Sequence, residues 1–358
     1  MAARWLIVLT TAVVLVGAPI AVGARRAADS TVTAPDLAAQ IQASRALGWS
    51  GSVQTTGSLQ IPESDSFATL GELLGETTNL RVWWRNAEEW RVDRLRTTGE
   101  TDLFRNRGGL IRWVFEQELA TISPVSRIRL PDPSDLLPPT LARSMLDGSR
   151  PGELTRLAAK RWAGRDAWGL RLTPDDPATT VDHVDMWADA ESGLPLRVEI
   201  YGRDEDRPVL STTTLDLALG TPDTAITVFR PAQTVDIDYE PSVDVAAAAN
   251  ASAPYDLPAT LAGLASRRGD DPGAVGIYGR GPTTVIALPL RGQVARPLRQ
   301  RLRASTAAEE TALGTYASVG PVGIMLAPFS GRGGAFLLAG TVTPDTLRRA
   351  ATELLARG

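Results

Sequence analysis

The chain has 358 residues, a formal net charge of −4, no cysteine and a single histidine. The missing cysteine excludes disulfides, thiol catalysis, cysteine–zinc sites, iron–sulfur clusters and lipid attachment to an N-terminal cysteine. The slight negative charge argues against a general nucleic-acid binder, and one histidine cannot build a histidine metal cluster.

The chain opens with a targeting segment. Arg4 precedes an uncharged run from Trp5 to Ala24, close to the roughly 20 apolar residues that span a bilayer. Pro19 interrupts the run and Val22-Gly23-Ala24 suits a signal peptidase, whereas Arg25 and Arg26 directly after it favour retention. The expectation is an exported, extracytoplasmic chain. Residues 1–24 are either a cleaved signal peptide or, through residues 5–24, an anchor in the cytoplasmic membrane.

Next, "APDLAAQIQASRALGW" has helical spacing, with Asp36 as N-cap and Leu37, Ile41 and Leu47 on the buried side. Strand-like runs follow at short intervals. "GWSGSVQTTGSLQI" comes first, then a hairpin in "NLRVWWRNAEEWRVDRLR" turning at Asn86 to Glu89, then "TDLFRN" and "GLIRWVFE". Such a series predicts a large antiparallel meander. Between Pro131 and Gly164 the pattern changes. "PSDLLPPTLARSMLDG" predicts a proline-punctuated helix, and "PGELTRLAAKRWAG" reads as a helix or as the start of a strand. Strands resume in "DAWGLRLTP", "TVDHVDMWAD", "LPLRVEIYG" and "PVLSTTTLDLAL", and "ITVFRPAQTVDIDYEP" ends the domain in extended structure. An Ala/Ser/Pro-rich stretch, 242–253, predicts a linker. Beyond it, two strands in "GAVGIYGRGPTTVIALPL", a helix in "VARPLRQRLRAS", further strands and a final helix in "TPDTLRRAATELLAR" predict a smaller α+β domain. Thr343 is the expected N-cap of that last helix, with Pro344 in its first turn.

No catalytic constellation emerges. His183 shares a strand face with Val181, Asp185 and Trp187, but no nucleophile motif accompanies it. The acidic pairs Glu88-Glu89, Asp175-Asp176, Asp270-Asp271 and Glu309-Glu310 fall at turns or polar helix faces, where charge is solvated. The glycine-rich "YGRGP" and "GRGG" lack phosphate-loop spacing and read as hairpin turns. The informative feature is tryptophan. Every tryptophan after the targeting segment lies between Trp49 and Trp187. Alternation places large apolar residues on sheet faces that either fill a core or line a cavity. The candidate lining is Val82, Trp84, Trp90, Val92, Trp113, Phe115, Leu170, Leu172, Val184, Met186, Leu196 and Val198. A one-residue slip in register would invert any of these strands.

The segment "VDMWADAESGLPLRVEI" (Val184 to Ile200), followed by "TTTLDLALGTPDTAITVFRPA" with Phe229 and Pro231, resembles the LolA-like superfamily. "WSGSVQTTG" and "DLLPPTLARSML" are similar to actinobacterial members in particular. The order of the motifs, and the layout from "VGIYGRGPTTVIALPL" to "GTVTPDTLRRAATELL", resembles the RseB/MucB-type regulators of envelope-stress sigma factors. The resemblance implies an α+β fold: a curved, half-open antiparallel β-barrel with covering helices over residues 36–241, then the 242–253 linker and a smaller RseB-like domain over 254–358. It implies a bound acyl chain or lipidated ligand, an anti-sigma factor's extracytoplasmic segment as protein partner, and no cofactor, metal or enzymatic step. A membrane-associated lipid or lipoprotein carrier without a signalling role stays open beside it.

Overall fold

Polar two-residue turns separate the alternating runs, and each run becomes a strand. The computed structural model describes residues 26–59, 68–125, 131–203, 205–231, 235–239, 256–267, 275–305, 307–329 and 334–357. The targeting segment (1–24) and the expected 242–253 linker lie outside the described residues.

Helix α1 (Ala34–Ala43) buries Leu37 and Ile41 as its spacing predicts. Its N-cap is Thr33, not Asp36: the Thr33 side chain accepts the Asp36 N–H and donates to the Asp36 carboxylate at 2.6 Å. The acidic residue therefore sits in the first turn, where the helix dipole favours it. Strand β1 (Trp49–Gly57) and helix α2 (Ala68–Gly75) follow. The Asn86 to Glu89 hairpin forms as expected between β2 (Thr77–Asn86) and β3 (Glu89–Arg96). β4 (Gly99–Asn106), β5 (Gly109–Val114) and β6 (Leu119–Ser123) continue the meander. The proline-punctuated stretch gives a short 3-10 turn, Pro133–Leu136, and helix α3 (Pro138–Met145). "LTRLAAKRW" resolves as strand β7 (Leu154–Trp162), and β8 (Arg165–Leu172), β9 (Val181–Asp189), β10 (Pro195–Gly202) and β11 (Leu210–Leu219) follow. A four-residue helical turn, α4 (Thr224–Thr227), leads to β12 (Asp236–Tyr239).

These strands form one open sheet of twelve, in the order β12-β6-β5-β4-β3-β2-β1-β11-β10-β9-β8-β7. All neighbours are antiparallel except β12, which lies parallel to β6. The sheet does not close, so β12 and β7 are its edges. Helices α1 and α3 cover one face, where Leu37, Ile41, Leu141 and Leu146 join Leu170, Leu172, Val184, Met186 and Val198 in a single core cluster. The fold is α+β with an unclosed antiparallel sheet and few helices, the architecture the sequence implied.

A second sheet of six follows the hairpin β13 (Thr260–Leu261) and β14 (Leu264–Ala265). Its strands are β15 (Gly276–Arg280), β16 (Thr283–Leu290), β17 (Ala308–Thr311), β18 (Gly314–Val319), β19 (Val322–Pro328) and β20 (Ala335–Gly340). Helix α5 (Gly292–Ala304) packs on one face through Ala295 and Leu302. Helix α6 (Pro344–Leu355) packs on the other through Leu347, Ala350, Ala351 and Leu354. Thr343 caps α6 by accepting the Thr346 N–H.

The two sheets meet along the segment before β9. Thr180 N–H donates to the Thr341 carbonyl at 3.1 Å and Thr343 N–H donates to the Ala178 carbonyl at 2.8 Å. Arg280 reaches from β15 to Glu153 with two hydrogen bonds of 2.5 and 2.8 Å, and to the Gly148 carbonyl at 3.1 Å. Gly281, at φ +47°, lies so close to the end of α3 that an added Cβ would fall 2.5 Å from the Met145 carbonyl oxygen. The Arg280 guanidinium holds the buried Glu153 carboxyl down at about 2, aided by N–H donors from Arg150 and Asp175 and opposed by burial.

The depressed Glu153 pKa fixes the sign of its pH dependence. Its contribution is full above the ordinary carboxyl range and is lost as the pH falls toward 2. Glu153→Gln is expected to cost about 2 kcal/mol near neutral pH. In chemical denaturation the gap between wild type and variant should narrow steadily below about pH 4.5.

Candidate functional site

The register sorts the candidate lining. Val82 pairs with Val92, and Trp84 with Trp90. Val92 pairs with Leu103. On the other side of β1, Thr55 opposes Thr212, Thr212 opposes Val198, Val198 opposes Met186, and Met186 opposes Leu170. Val184 opposes Leu172. Residues directly opposite one another point the same way. Nine of the twelve candidates, all but Trp113, Leu196 and Phe115, therefore share the helix-covered face.

The remaining three are corrected. Trp113 opposes Asp102, which opposes Asp93, so it lies on the other face. There it packs with Phe104, Ile111 and Phe229, its ring 5.8 Å from that of Phe229. Phe115 is not in a strand. β5 ends at Val114, and Phe115 opens a 3-10 turn with 64 % of its surface exposed. Leu196 is inverted by a β-bulge, where pairing jumps from Pro195 to Arg197. It joins Trp187 and Ala167 on the opposite face. That cluster is sealed by β7, which is itself bulged between Leu157 and Lys160. An added Cβ on Gly169 would fall 2.7 Å from Leu157 Cβ, so glycine is what lets the bulged strand approach. Trp187 Nε1–H then donates to the Ala158 carbonyl at 3.2 Å, and the Lys160 ammonium sits 4.0 Å over the Trp187 ring.

The nine shared residues divide into two clusters. The β8–β11 half is packed by α1 and α3, with Leu73 of α2 beside them. The β1–β4 half gathers Trp49, Val53, Leu80, Val82, Trp84, Trp90, Val92 and Leu103. Among the described residues, its buried partners from outside those strands are Leu137 and Leu194. Trp84 and Trp90 stack with ring centroids 5.8 Å apart and planes 3° apart, forming a flat aromatic wall. Trp49, Val53, Leu80 and Leu103 were missed by the sequence reading. Trp49 and Val53 alternate around a glycine, which gave their strand no run of large residues to read.

The opposite face carries charge. Arg91 bridges Asp93 at 2.6 Å and Asp102 at 2.8 Å, while Arg81 holds Glu100 at 2.6 Å. Oxygens of Asp93, Glu100 and Asp102 lie within 4.8 Å of one another, a set that could ligate a metal ion. The two guanidinium groups supply only part of the counter-charge of its three carboxyls. Burial, reinforced by the neighbouring Asp93 carboxylate, pushes Asp102 up to about 7 against the pull of Arg91. His183 stacks on Tyr201 with ring centroids 4.3 Å apart and contacts Asp182 at 2.6 Å. No serine, threonine or tyrosine hydroxyl is paired with it among the described hydrogen bonds.

No family model matches the chain, and no curated protein matches it. Solved structures do resemble it. MucB in complex with MucA(peri) gives a TM-score of 0.48 at 18 % identity, covering 89 % of this chain and 97 % of that one. The MucA/MucB complex of Pseudomonas aeruginosa gives 0.49 at 16 % identity, covering 89 % and 96 %. The LolA superfamily protein NE2245 from Nitrosomonas europaea gives 0.22 at 14 % identity, covering 56 % and 99 %.

The raised Asp102 pKa predicts a pH dependence of opposite sign to that of Glu153. The folded state holds this proton more tightly than the unfolded chain, so its contribution weakens as pH rises through roughly 4 to 7. Asp102→Asn is expected to flatten that part of the stability profile. At pH 8 it should raise unfolding stability by about 1 kcal/mol, read from urea midpoints at constant m-value.

Proposed function

We propose that the chain is an exported envelope-stress regulator of the RseB/MucB type. In this reading residues 36–241 form a LolA-like unit that takes an acyl chain or lipidated ligand. Residues 242–253 are a linker, and residues 254–358 form the smaller unit that, with the first, engages an anti-sigma factor's extracytoplasmic segment. The chain works at the outer side of the cytoplasmic membrane, without a catalytic step or cofactor.

One observation carries the reading. One face of an open sheet carries two large apolar clusters, joined across the buried pair Thr55 and Thr212, and that face is covered by short, separate helices instead of a second sheet. Helix α1 has ten residues and α3 has eight. Isolated helices of such length are marginal on their own, so they stay only while their apolar side chains remain seated. A hydrocarbon tail offers the same contacts. Burying sixteen methylenes is worth about 12 kcal/mol gross, against about 4–15 kcal/mol for association and ordering. The β1–β4 half, with its stacked Trp84 and Trp90, is the assigned seat; its buried residues are no more than 7 % exposed, so a chain enters there only as Leu137, at the start of α3, and Leu194 withdraw. The β8–β11 half is packed by Leu37, Ile41, Leu141 and Leu146.

Signalling requires that ligand bind two states unequally. The junction supplies a route for this: α3 ends at Met145, beside Gly281, and the Gly148 carbonyl just after it accepts from Arg280. Lifting α3 to admit a chain would disturb the contact with the second sheet.

Mass spectrometry of lipids extracted from the natively purified chain tests the reading. Acyl lipid at near-stoichiometric level is expected, and Val92→Trp, which fills the assigned seat, should reduce it at least five-fold. The chain should retain an anti-sigma factor's extracytoplasmic segment on co-purification, with affinity altered by lipid loading. Lipid transfer to acceptor vesicles with no such retention would assign the carrier role instead. Absence of bound lipid and of partner would remove the proposal.

A further inference from the structure

Helix α5 buries one side and exposes a strongly basic other side. Its apolar side, Ala295, Leu298 and Leu302, packs on the six-stranded sheet. From residue 291 to residue 304 it carries five arginines and no acidic residue. The region from 256 onward holds twelve arginines against seven acids, in a chain whose net charge is −4. Ordinary helix stabilisation accounts for only part of this. Arg303 is held by Glu310 with hydrogen bonds of 2.8 and 2.9 Å, and cations in the last turn suit the helix dipole. Arg296 lies near the N-terminal half, where that dipole disfavours positive charge. Neither Arg296 nor Arg301 makes an ion pair among the described residues, and both are exposed.

The shape of the surface selects the partner. Helical spacing puts Arg296 and Arg303 on one flank of the exposed side and Arg301, beside Val294, on the other. Val294 is 50 % exposed. Next to the helix the sheet continues as an apolar row in which Ile277 opposes Ile286, Ile286 opposes Ala339, and Ala339 opposes Ile324. Ile286 is 40 % exposed. Cations spread over a convex ridge beside a shallow apolar strip offer no walls to grip a peptide. A flat anionic surface with an apolar layer beneath it fits both features.

The geometry points to α5 as a docking surface for an anionic phospholipid bilayer, laying the second sheet against the membrane. The surface is independent of the twelve-stranded sheet and its ligand, although it needs the chain to work at a membrane, as its apolar N-terminal run implies. Each arginine near such a surface weights binding roughly five-fold, less as salt rises.

The chain has no cysteine, so Gln300→Cys in the full-length protein accepts one environment-sensitive fluorophore on the exposed side of α5. The labelled chain is mixed with phosphatidylcholine vesicles and with vesicles containing 30 % phosphatidylglycerol. Flotation reports attachment by any route, and fluorophore emission reports whether α5 touches the bilayer. The expected result is a blue shift only with phosphatidylglycerol. Its midpoint should move at least ten-fold to higher lipid in Arg296→Gln/Arg301→Gln, whose thermal unfolding should match the parent. Equal emission on both vesicle types overturns the proposal even where flotation succeeds, as does a double variant that responds like the parent. A shift produced by a soluble glutamate-rich peptide, with none from vesicles, reassigns the surface to an acidic protein and overturns the bilayer assignment. Failure of the lipid-extraction test leaves this measurement unaffected.

Discussion

The structure depends on covering one very large apolar sheet face without closing the sheet. Within the twelve-stranded sheet that face is apolar over β1–β4 and over β8–β11. A closed barrel would bury it against itself, and a sandwich would bury it against a second sheet. Here it is divided. One half is packed by two short helices, and the other holds a stacked tryptophan pair whose buried partners from outside its own strands are, among the described residues, Leu137 and Leu194. The opposite face carries cross-strand ion pairs and arginines lying over aromatic rings, beside two smaller apolar clusters around Phe104, Ile111 and Trp113 and around Ala167, Trp187 and Leu196.

Those ion pairs use what arginine offers over lysine. Arg171 grips Asp185 with two bonds of 2.6 and 2.7 Å, and Arg165 grips Asp189 from the adjacent strand at 2.6 and 3.2 Å. A planar fork spans neighbouring strands and satisfies both oxygens of a buried carboxylate, which the point charge of lysine does not do. Arg197 extends the scheme by bonding Glu199 while lying 4.4 Å from the Trp162 ring centre. The single lysine, Lys160, also sits over an aromatic ring. Where two acids share one arginine, as at Asp93 and Asp102, the balance fails and a carboxyl prefers its proton.

Much of this was legible in the sequence because alternation is a local signal. The hairpin at Asn86 to Glu89, the cap at Thr343 and the same-strand pairs Val82 with Trp84, Trp90 with Val92, and Val184 with Met186 follow from spacing alone. Three kinds of feature were not legible. A bulge is one residue of extra backbone; its one local mark in "GLPLRVEI" is Pro195, which has no N–H for the ladder, and strict alternation read past it put Leu196 on the wrong face. Trp113 alternates correctly within its own strand, but which face that set occupies is decided by pairing with Asp102 on β4, a non-local fact. Thr33 and Asp36 are both good capping residues, and the choice between them lay in the hydroxyl's reach to the Asp36 N–H. Helix α2 was missed because its eight residues contain two glycines. Phe229, noted only as part of a family motif, acquires a physical purpose: it covers Phe104 and Trp113 on the face without helices.

The place of β1 within the large sheet has a consequence for how the chain is made. This first strand lies between β2 and β11, pairing Gly57 with Leu210 across some two-fifths of the sequence. Until β11 has been synthesised, the middle of the sheet lacks a strand and the earlier hairpins have a raw edge. Such distant pairing slows folding, since a long loop must close before any of its contacts form. Under the proposed export route, in which the chain crosses a membrane in extended form, slowness becomes an asset: the strand that completes the large sheet's centre is the eleventh of its twelve in chain order, so early collapse of that sheet is held off by topology itself.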